Sequence, residues 1–194
     1  AESDEVSDPL SIASGAFAGS PIMCARSLSL AGRAPFSGLV ETDTTISDSS
    51  VAFISCGWRA VVLSGIARRQ MVLKIHADSV EFVPSERLIG KSVRETVGLL
   101  GNVSSVSTLA IGPAGEHGVS LACVVSDGEP LERRGLGALL GKKHIKAIVV
   151  DKGPMTVAPA DSDGFSKALA KLDRLVDTSA YVARFKAKGS LDLV

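Results

Sequence analysis

The residues best suited to ligating a metal or attacking a substrate are three cysteines, Cys24, Cys56 and Cys123, and three histidines, His76, His117 and His144. The cysteines stand 32 and 67 residues apart, with no Cys-x-x-Cys and no Cys/His pair at ligand spacing. Neither a disulfide framework nor a zinc site follows from that pattern. An iron–sulfur cluster takes four thiolates, so any cluster must be held elsewhere. Each cysteine reads as a small buried hydrophobe. No histidine sits in a hydrolase signature and Gly-x-Ser-x-Gly is absent, which excludes the common nucleophilic arrangements. His76 lies in the alternating run Lys74-Ile75-His76-Ala77-Asp78 and reads as a solvated or internally bonded side chain.

Two glycine segments remain. Arg133-Arg134-Gly135-Leu136-Gly137-Ala138-Leu139-Leu140-Gly141 lacks the G-x-G-x-x-G spacing, and no P-loop lysine motif follows any glycine cluster. Its backbone N–H groups at a helix start, behind two guanidiniums, suit phosphate or another anion. It reads equally as a structural turn with solvated arginines. Ile111-Gly112-Pro113-Ala114-Gly115-Glu116 is a tight loop after a strand.

The elements that must carry these segments follow from periodicity. Short β-branched runs between glycines predict strands at Ala60-Leu63, Met71-Ile75, Thr108-Ile111, Val119-Val125 and Ala147-Val150. Most are too apolar for a wet face and are expected centrally in a covered sheet. Ser92-Val93-Arg94-Glu95 is a capping box, predicting a helix to Leu100 closed by Gly101. Phe165, Leu169, Leu172 and Val176 share one helical face, expected to dock by that stripe. Tyr181 to Lys188 predicts a further short helix capped at Gly189. The stretches Cys56-Gly57-Trp58-Arg59-Ala60 and Lys143-His144-Ile145-Lys146-Ala147 both run through an alanine into a hydrophobic strand, as two copies of one unit or chance would give.

The 194 residues suffice for a real core. Charges balance at 21 Lys+Arg against 21 Asp+Glu, so no overall field favours nucleic acid or an anionic membrane. No apolar run approaches the ~20 residues of a membrane span. The N-terminus is acidic where a secretory signal is basic, and a cytoplasmic location is expected.

Ala110-Ile111-Gly112-Pro113-Ala114-Gly115-Glu116, Val124-Val125-Ser126-Asp127-Gly128, Arg133 to Gly141 and Lys143-His144-Ile145-Lys146-Ala147-Ile148-Val149-Val150 fall in a specific order and spacing. With Pro9 to Gly15, Ala18-Gly19-Ser20-Pro21, Gly57-Trp58-Arg59-Ala60 and Ile89-Gly90-Lys91, this chain resembles the N-terminal domain of the tungsten-containing aldehyde ferredoxin oxidoreductases. Lys188-Gly189-Ser190-Leu191 is similar to that family's passage into its second domain.

The resemblance implies an α+β fold of two intertwined mixed-sheet repeats over 1–160, with a helical C-terminal appendage over 161–194. It implies a saddle for a tungsten or molybdenum bis-pterin whose phosphates are bridged by magnesium. Cofactor contacts carried over by position fall at Arg26, at Asp43 and Thr44, and at Arg133, Gly135 and Gly137. The family's first segment and two later helical domains, which supply the cluster cysteines and substrate pocket, are expected outside this chain.

This sequence departs from the family at Thr42-Asp43-Thr44-Thr45-Ile46-Ser47, where Thr44 replaces an asparagine and glycines are gone. It departs again at Glu129-Pro130-Leu131-Glu132-Arg133, which puts two carboxylates where phosphates are expected. Two readings follow. The chain is the pterin-binding portion of an aldehyde-oxidising enzyme, completed by a catalytic or iron–sulfur-containing partner, or it is a non-metal-binding domain acting in structure or assembly. An incompletely covered saddle predicts an exposed apolar face and association, including with a second copy. Trp58, the single tryptophan, reads as a core ring or a partner anchor.

Overall fold

The computed structural model describes residues 8–101 and 104–189. The acidic opening residues and Ser190-Leu191 lie outside the described residues. The chain divides into two compact units between Val157 and Ala158.

In the first unit β1 (Leu10–Ser14), β2 (Ser27–Arg33), β3 (Val40–Ile46) and β4 (Ala60–Leu63) form an antiparallel sheet in the order β3-β2-β1-β4. Alternation sets its faces. Leu10, Ile12, Leu28 and Leu30 are buried, while Ser11, Ala13, Ser29 and Ala31 between them point the other way.

A second sheet contains β5 (Met71–Ile75), β6 (Val80–Pro84), β7 (Val106–Ala110), β8 (Val125–Ser126), β9 (Glu129–Pro130) and β10 (Ile145–Asp151), in the order β6-β5-β10-β7-β8-β9. Only β5 and β10 pair in parallel. Central β10 is buried from Ile145 through Val150, as its unbroken apolar run requires.

Two helices tie the sheets together. α1 (Asp48–Ser55) connects β3 to β4 of the first sheet yet packs on β7 and β10 of the second. α4 (Leu136–Lys142) leads into β10 of the second sheet yet packs on β1 and β2 of the first. Phe53 of α1, Leu139 and Leu140 of α4, and strand residues such as Leu28, Leu30, Ile148 and Val150 thereby share one core. The architecture is α+β, two sheets interleaved through exchanged helices with further helices at the C-terminus.

The sequence echo has a structural counterpart. α1 ends at Cys56 and turns through Gly57 at φ 90°, and α4 ends at Lys143 and turns through His144 at φ 56°. Ala60 then opens β4, while Ala147 is the third residue of β10. The left-handed turn is natural at glycine and costly at histidine.

α2 (Val93–Leu100) carries the expected capping box, with Ser92 Oγ accepting from Glu95 N–H and Glu95 reaching back to Ser92 N–H. α3 (Pro113–Glu116) is a single turn, its proline at the position that needs no N–H donor. In the second unit α5 (Ser162–Asp177) is capped by Asp161 and α6 (Ala180–Lys188) by Ser179, with Gly189 at φ 65° closing the latter.

Three expectations are corrected. Val119–Val125 is not a strand. Only Val125 enters the sheet, because the Ala122 carbonyl accepts from Gly137 N–H of α4 and the preceding residues close turns among themselves. β4 is an edge rather than a central strand, pairing only with β1 and leaving Ala60 and Val62 exposed. The apolar stripe of α5 is only half covered, with Phe165, Leu169 and Val176 partly buried and Leu172 exposed, where α5 packs on α6. Phe36, Leu39 and Val40 on the β2–β3 hairpin are exposed, Phe36 to 70%.

Candidate functional site

The Arg133–Gly141 segment was the strongest candidate for holding an anion, and its backbone donors are occupied from within. Glu132, 2% exposed, accepts from Val124 N–H at 3.0 Å, Arg134 N–H at 2.6 Å and Gly137 N–H at 3.2 Å. A carboxylate thus fills the cluster of N–H groups that the sequence offered to phosphate. The glycines serve packing. A Cβ on Gly135, which sits at φ 82°, would overlap the Ser120 carbonyl, and one on Gly137 would lie 2.5 Å from the Cys123 carbonyl.

Asp43 reaches this segment from β3, its Oδ2 accepting from Arg133 N–H at 3.1 Å. The Arg133 side chain is exposed and makes no ion pair with any described residue. Neighbouring Arg134 pairs with Glu41 of β3 at 3.5 Å. Thr44 follows Asp43 in the strand and therefore projects from the opposite face, where it shares a 2.7 Å hydrogen bond with Ser29. Asp43, Arg133, Gly135 and Gly137 are brought together, and Thr44 is not.

Arg26 stands apart. It precedes β2 beside the Ile46 end of β3, about 10 Å along the strand from Asp43. Its guanidinium pairs with Asp48 at 2.5 Å, and both line a cleft of about 540 Å³ with Gly19, Ser20, Lys152 and Gly153. The ion pair is exposed on both sides, so the guanidinium can exchange Asp48 for another anion at small cost.

The cysteines and histidines carry no reactive constellation. Burial first, then the negative charges of Asp151 and Asp78, pushes the Cys56 thiol up. Burial and Glu132 do the same for Cys123. Both are held as thiols rather than thiolates. Cys24, expected to be buried, is exposed at φ 60°. His76 pairs through Nδ1 with Asp151 at 2.7 Å, and its carbonyl accepts from Trp58 Nε1 at 2.9 Å. Trp58 is partly buried against the core, with its single donor satisfied. Among the described residues no group of three or more His, Cys, Asp or Glu side chains could hold a metal ion.

Sequence reasoning missed a buried column of hydroxyls. Ser47 Oγ meets Ser126 Oγ at 2.9 Å, Ser126 meets Ser49 at 2.5 Å, Ser49 meets Ser107 at 2.6 Å, and Ser107 donates to Asp127 Oδ2 at 2.5 Å. It joins the start of α1 to β7 and β8. The only local signal was a cluster of serines after β3, which reads as a helix cap; the partners lie 58 to 79 residues away.

Residues 3–152 match the family model of the aldehyde ferredoxin oxidoreductase N-terminal domain. The chain belongs to this family. A tungsten-containing aldehyde ferredoxin oxidoreductase of Pyrococcus abyssi is 36% identical over 124 residues, covering 61% of this chain and 20% of that protein. The enzyme of the same name from Pyrococcus furiosus is 29% identical over 174 residues, covering 84% of this chain and 29% of that protein. The chain spans less than a third of either relative. Among solved structures, the active site complex BamBC of benzoyl coenzyme A reductase, in complex with 1,5-dienoyl-CoA, superimposes with a TM-score of 0.83 at 23% identity, over 88% of this chain and 26% of that one. That likeness is one of fold alone.

Proposed function

We propose that this chain is the pterin-cofactor-facing portion of an aldehyde ferredoxin oxidoreductase-like enzyme that oxidises aldehydes to carboxylates, and that it is not catalytic alone. The observation carrying the reading is the Arg133 guanidinium, exposed and without an ion pair among the described residues, on a loop within the family match. A pterin phosphate offers pairs of oxygens that the planar guanidinium fork can bind bidentately.

The residues fit this group at their guanidiniums. Arg133 and Arg26 would hold phosphates, Arg26 by exchanging Asp48. Asp43 would fix Arg133 through its N–H, and Gly135 and Gly137 would act by letting α4 set the Arg133 loop in place rather than by touching the ligand. Thr44 would present its hydroxyl on the outer face of the first sheet, among Ser11, Ala13, Ser29 and Ala31, where small uncharged side chains leave room for a flat ring. A tungsten or molybdenum bis-pterin, when bound with its magnesium, supplies oxygen-atom and two-electron chemistry. Any iron–sulfur cluster would belong to a catalytic partner chain or further domain, and the exposed Phe36, Leu39 and Val40 suit contact with that partner or a second copy. Cytoplasmic operation belongs to the same proposal.

In the assembled enzyme, Arg133→Ala should lower bound pterin by about tenfold or more. Unchanged pterin and activity would remove Arg133 as a ligand. A second reading, a structural or assembly domain without metal, is favoured by Glu132, whose carboxylate already fills the loop's donors. Elemental analysis for tungsten, molybdenum and magnesium, with oxidised-pterin fluorescence, separates them when made on protein from its native source grown with tungstate and molybdate. Near-stoichiometric metal and pterin support the first reading, and absence of both supports the second.

A further inference from the structure

A cavity of about 430 Å³ opens where the chain passes from β4, an edge of the first sheet, to β5 of the second. Its apolar wall includes Leu63 of β4, Ile66, Met71 of β5, Phe82 of β6 and Ile145 of β10. Its charged lining residues are all cationic, Arg68, Arg69 and Lys143, of which Arg69 pairs with Glu86 at 3.2 Å. Lys143 is 4% exposed, and its ammonium has one neutral acceptor, the Gly65 carbonyl at 3.3 Å. Among the described residues no carboxylate pairs with it. Asp8, whose field reaches it, is engaged by Arg33 at 3.0 Å. Burial pushes the amine below the ordinary lysine value, the signature of a charge short of compensation.

The walls are preorganised. Ala67 N–H donates to the Lys143 carbonyl at 3.1 Å, the His144 ring joins the Ala67 carbonyl at 2.6 Å, and Met71 N–H donates to the His144 carbonyl at 2.8 Å. These bonds strap the 64–70 loop to the turn carrying Lys143, which removes much of the ordering cost of binding. The volume and largely apolar lining suit a small molecule.

We propose that this cavity binds a small monocarboxylate with an apolar body, its carboxylate on Lys143 and Arg68 and its hydrocarbon part against Ile66, Met71 and Phe82. The ligand supplies the counter-charge that the fold withholds from Lys143. This site is separate from the residues assigned to the pterin, and its test does not depend on a cofactor.

The experiment titrates phenylacetate into the full chain, with calorimetry and amide chemical shifts as readouts. A Kd of about 1 mM or below is expected, with shifts concentrated at residues 63–71 and 143–145. Phenylacetamide, alike in shape but uncharged, should bind about tenfold more weakly or worse, and Lys143→Met should weaken phenylacetate by a similar factor. The proposal is overturned by equal affinity for the amide, by shifts centred elsewhere, or by no saturation below about 20 mM. Should Lys143→Met fail to fold, the amide comparison and Arg68→Ala decide. Arg68→Ala should weaken phenylacetate about threefold while leaving the amide unchanged, and no loss would overturn the assigned contact.

Discussion

Lys146 is the most deeply buried charge among the described residues, 0% exposed at the second position of β10. Its Nζ meets Glu116 Oε1 and donates to the Lys91 carbonyl at 2.7 Å, while Glu116 Oε2 accepts from Gly90 N–H at 2.8 Å. One carboxylate therefore fastens α3 both to the central strand and to the turn before α2. Removing one partner strands the other charge in a dry interior, so Lys146→Ala should cost about 3–5 kcal/mol in urea unfolding. Lys143 behaves oppositely. Because burial lowers its folded-state value, the unfolded chain holds this proton more tightly, and stability should rise with pH between that lowered value and the ordinary 10.5. Below the window the penalty is fully present. Lys143→Met should abolish the rise, which unfolding curves collected from pH 7 to pH 11 would reveal as a flattened profile. Neither role was visible in sequence, where each lysine is one cation in a basic-apolar run. Spacing identifies what a residue is; burial and a partner 30 residues off, as for Lys146 and Glu116, decide what it does.

At the scale of elements, legibility followed how local the determinants are. The capping box at Ser92–Glu95 and the Gly189 stop needed only neighbours, and both are where periodicity and caps placed them. The 119–125 segment has the composition of a strand, yet its Ala122 carbonyl goes to Gly137, a partner no local window contains. The 133–141 loop, which reads from sequence equally as an anion site and as a structural turn, depends on remote partners in the same way. Its glycines signalled close approach correctly, but what approaches is the chain's own backbone. Two glycines in helices make the contrast measurable. Gly137→Ala drives a methyl into the Cys123 carbonyl and should cost about 3 kcal/mol. Gly98→Ala in α2 meets nothing within 4 Å and should gain roughly 0.5–1 kcal/mol. Thermal melts of the two variants should move in opposite directions.

For the first unit as a whole, α1 and α4 matter more than either sheet. Each packs on strands of both sheets at once, so neither sheet keeps its core if the other opens. Its unfolding should be one transition. Trp58 fluorescence, which watches the junction of β4 with the end of β5, should coincide in urea with amide exchange at Leu109 and Ile148 of the second sheet. Separate midpoints would mean that the exchanged helices do not couple the sheets.

The hydroxyl column has a direction. Ser107 donates its hydrogen bond to the Asp127 carboxylate, and each serine in turn has its one hydrogen left to offer one way: Ser49 to Ser107, Ser126 to Ser49, Ser47 to Ser126. Four dipoles then add head to tail, with their positive end at the carboxylate and their negative end at the Ser47 oxygen, which accepts from Ser49 N–H. Replacing Asp127 with a side chain that can also donate would remove what fixes that order. The fold thus stores an orientation in hydrogens alone, written at one sheet and read at the first turn of the helix that serves the other.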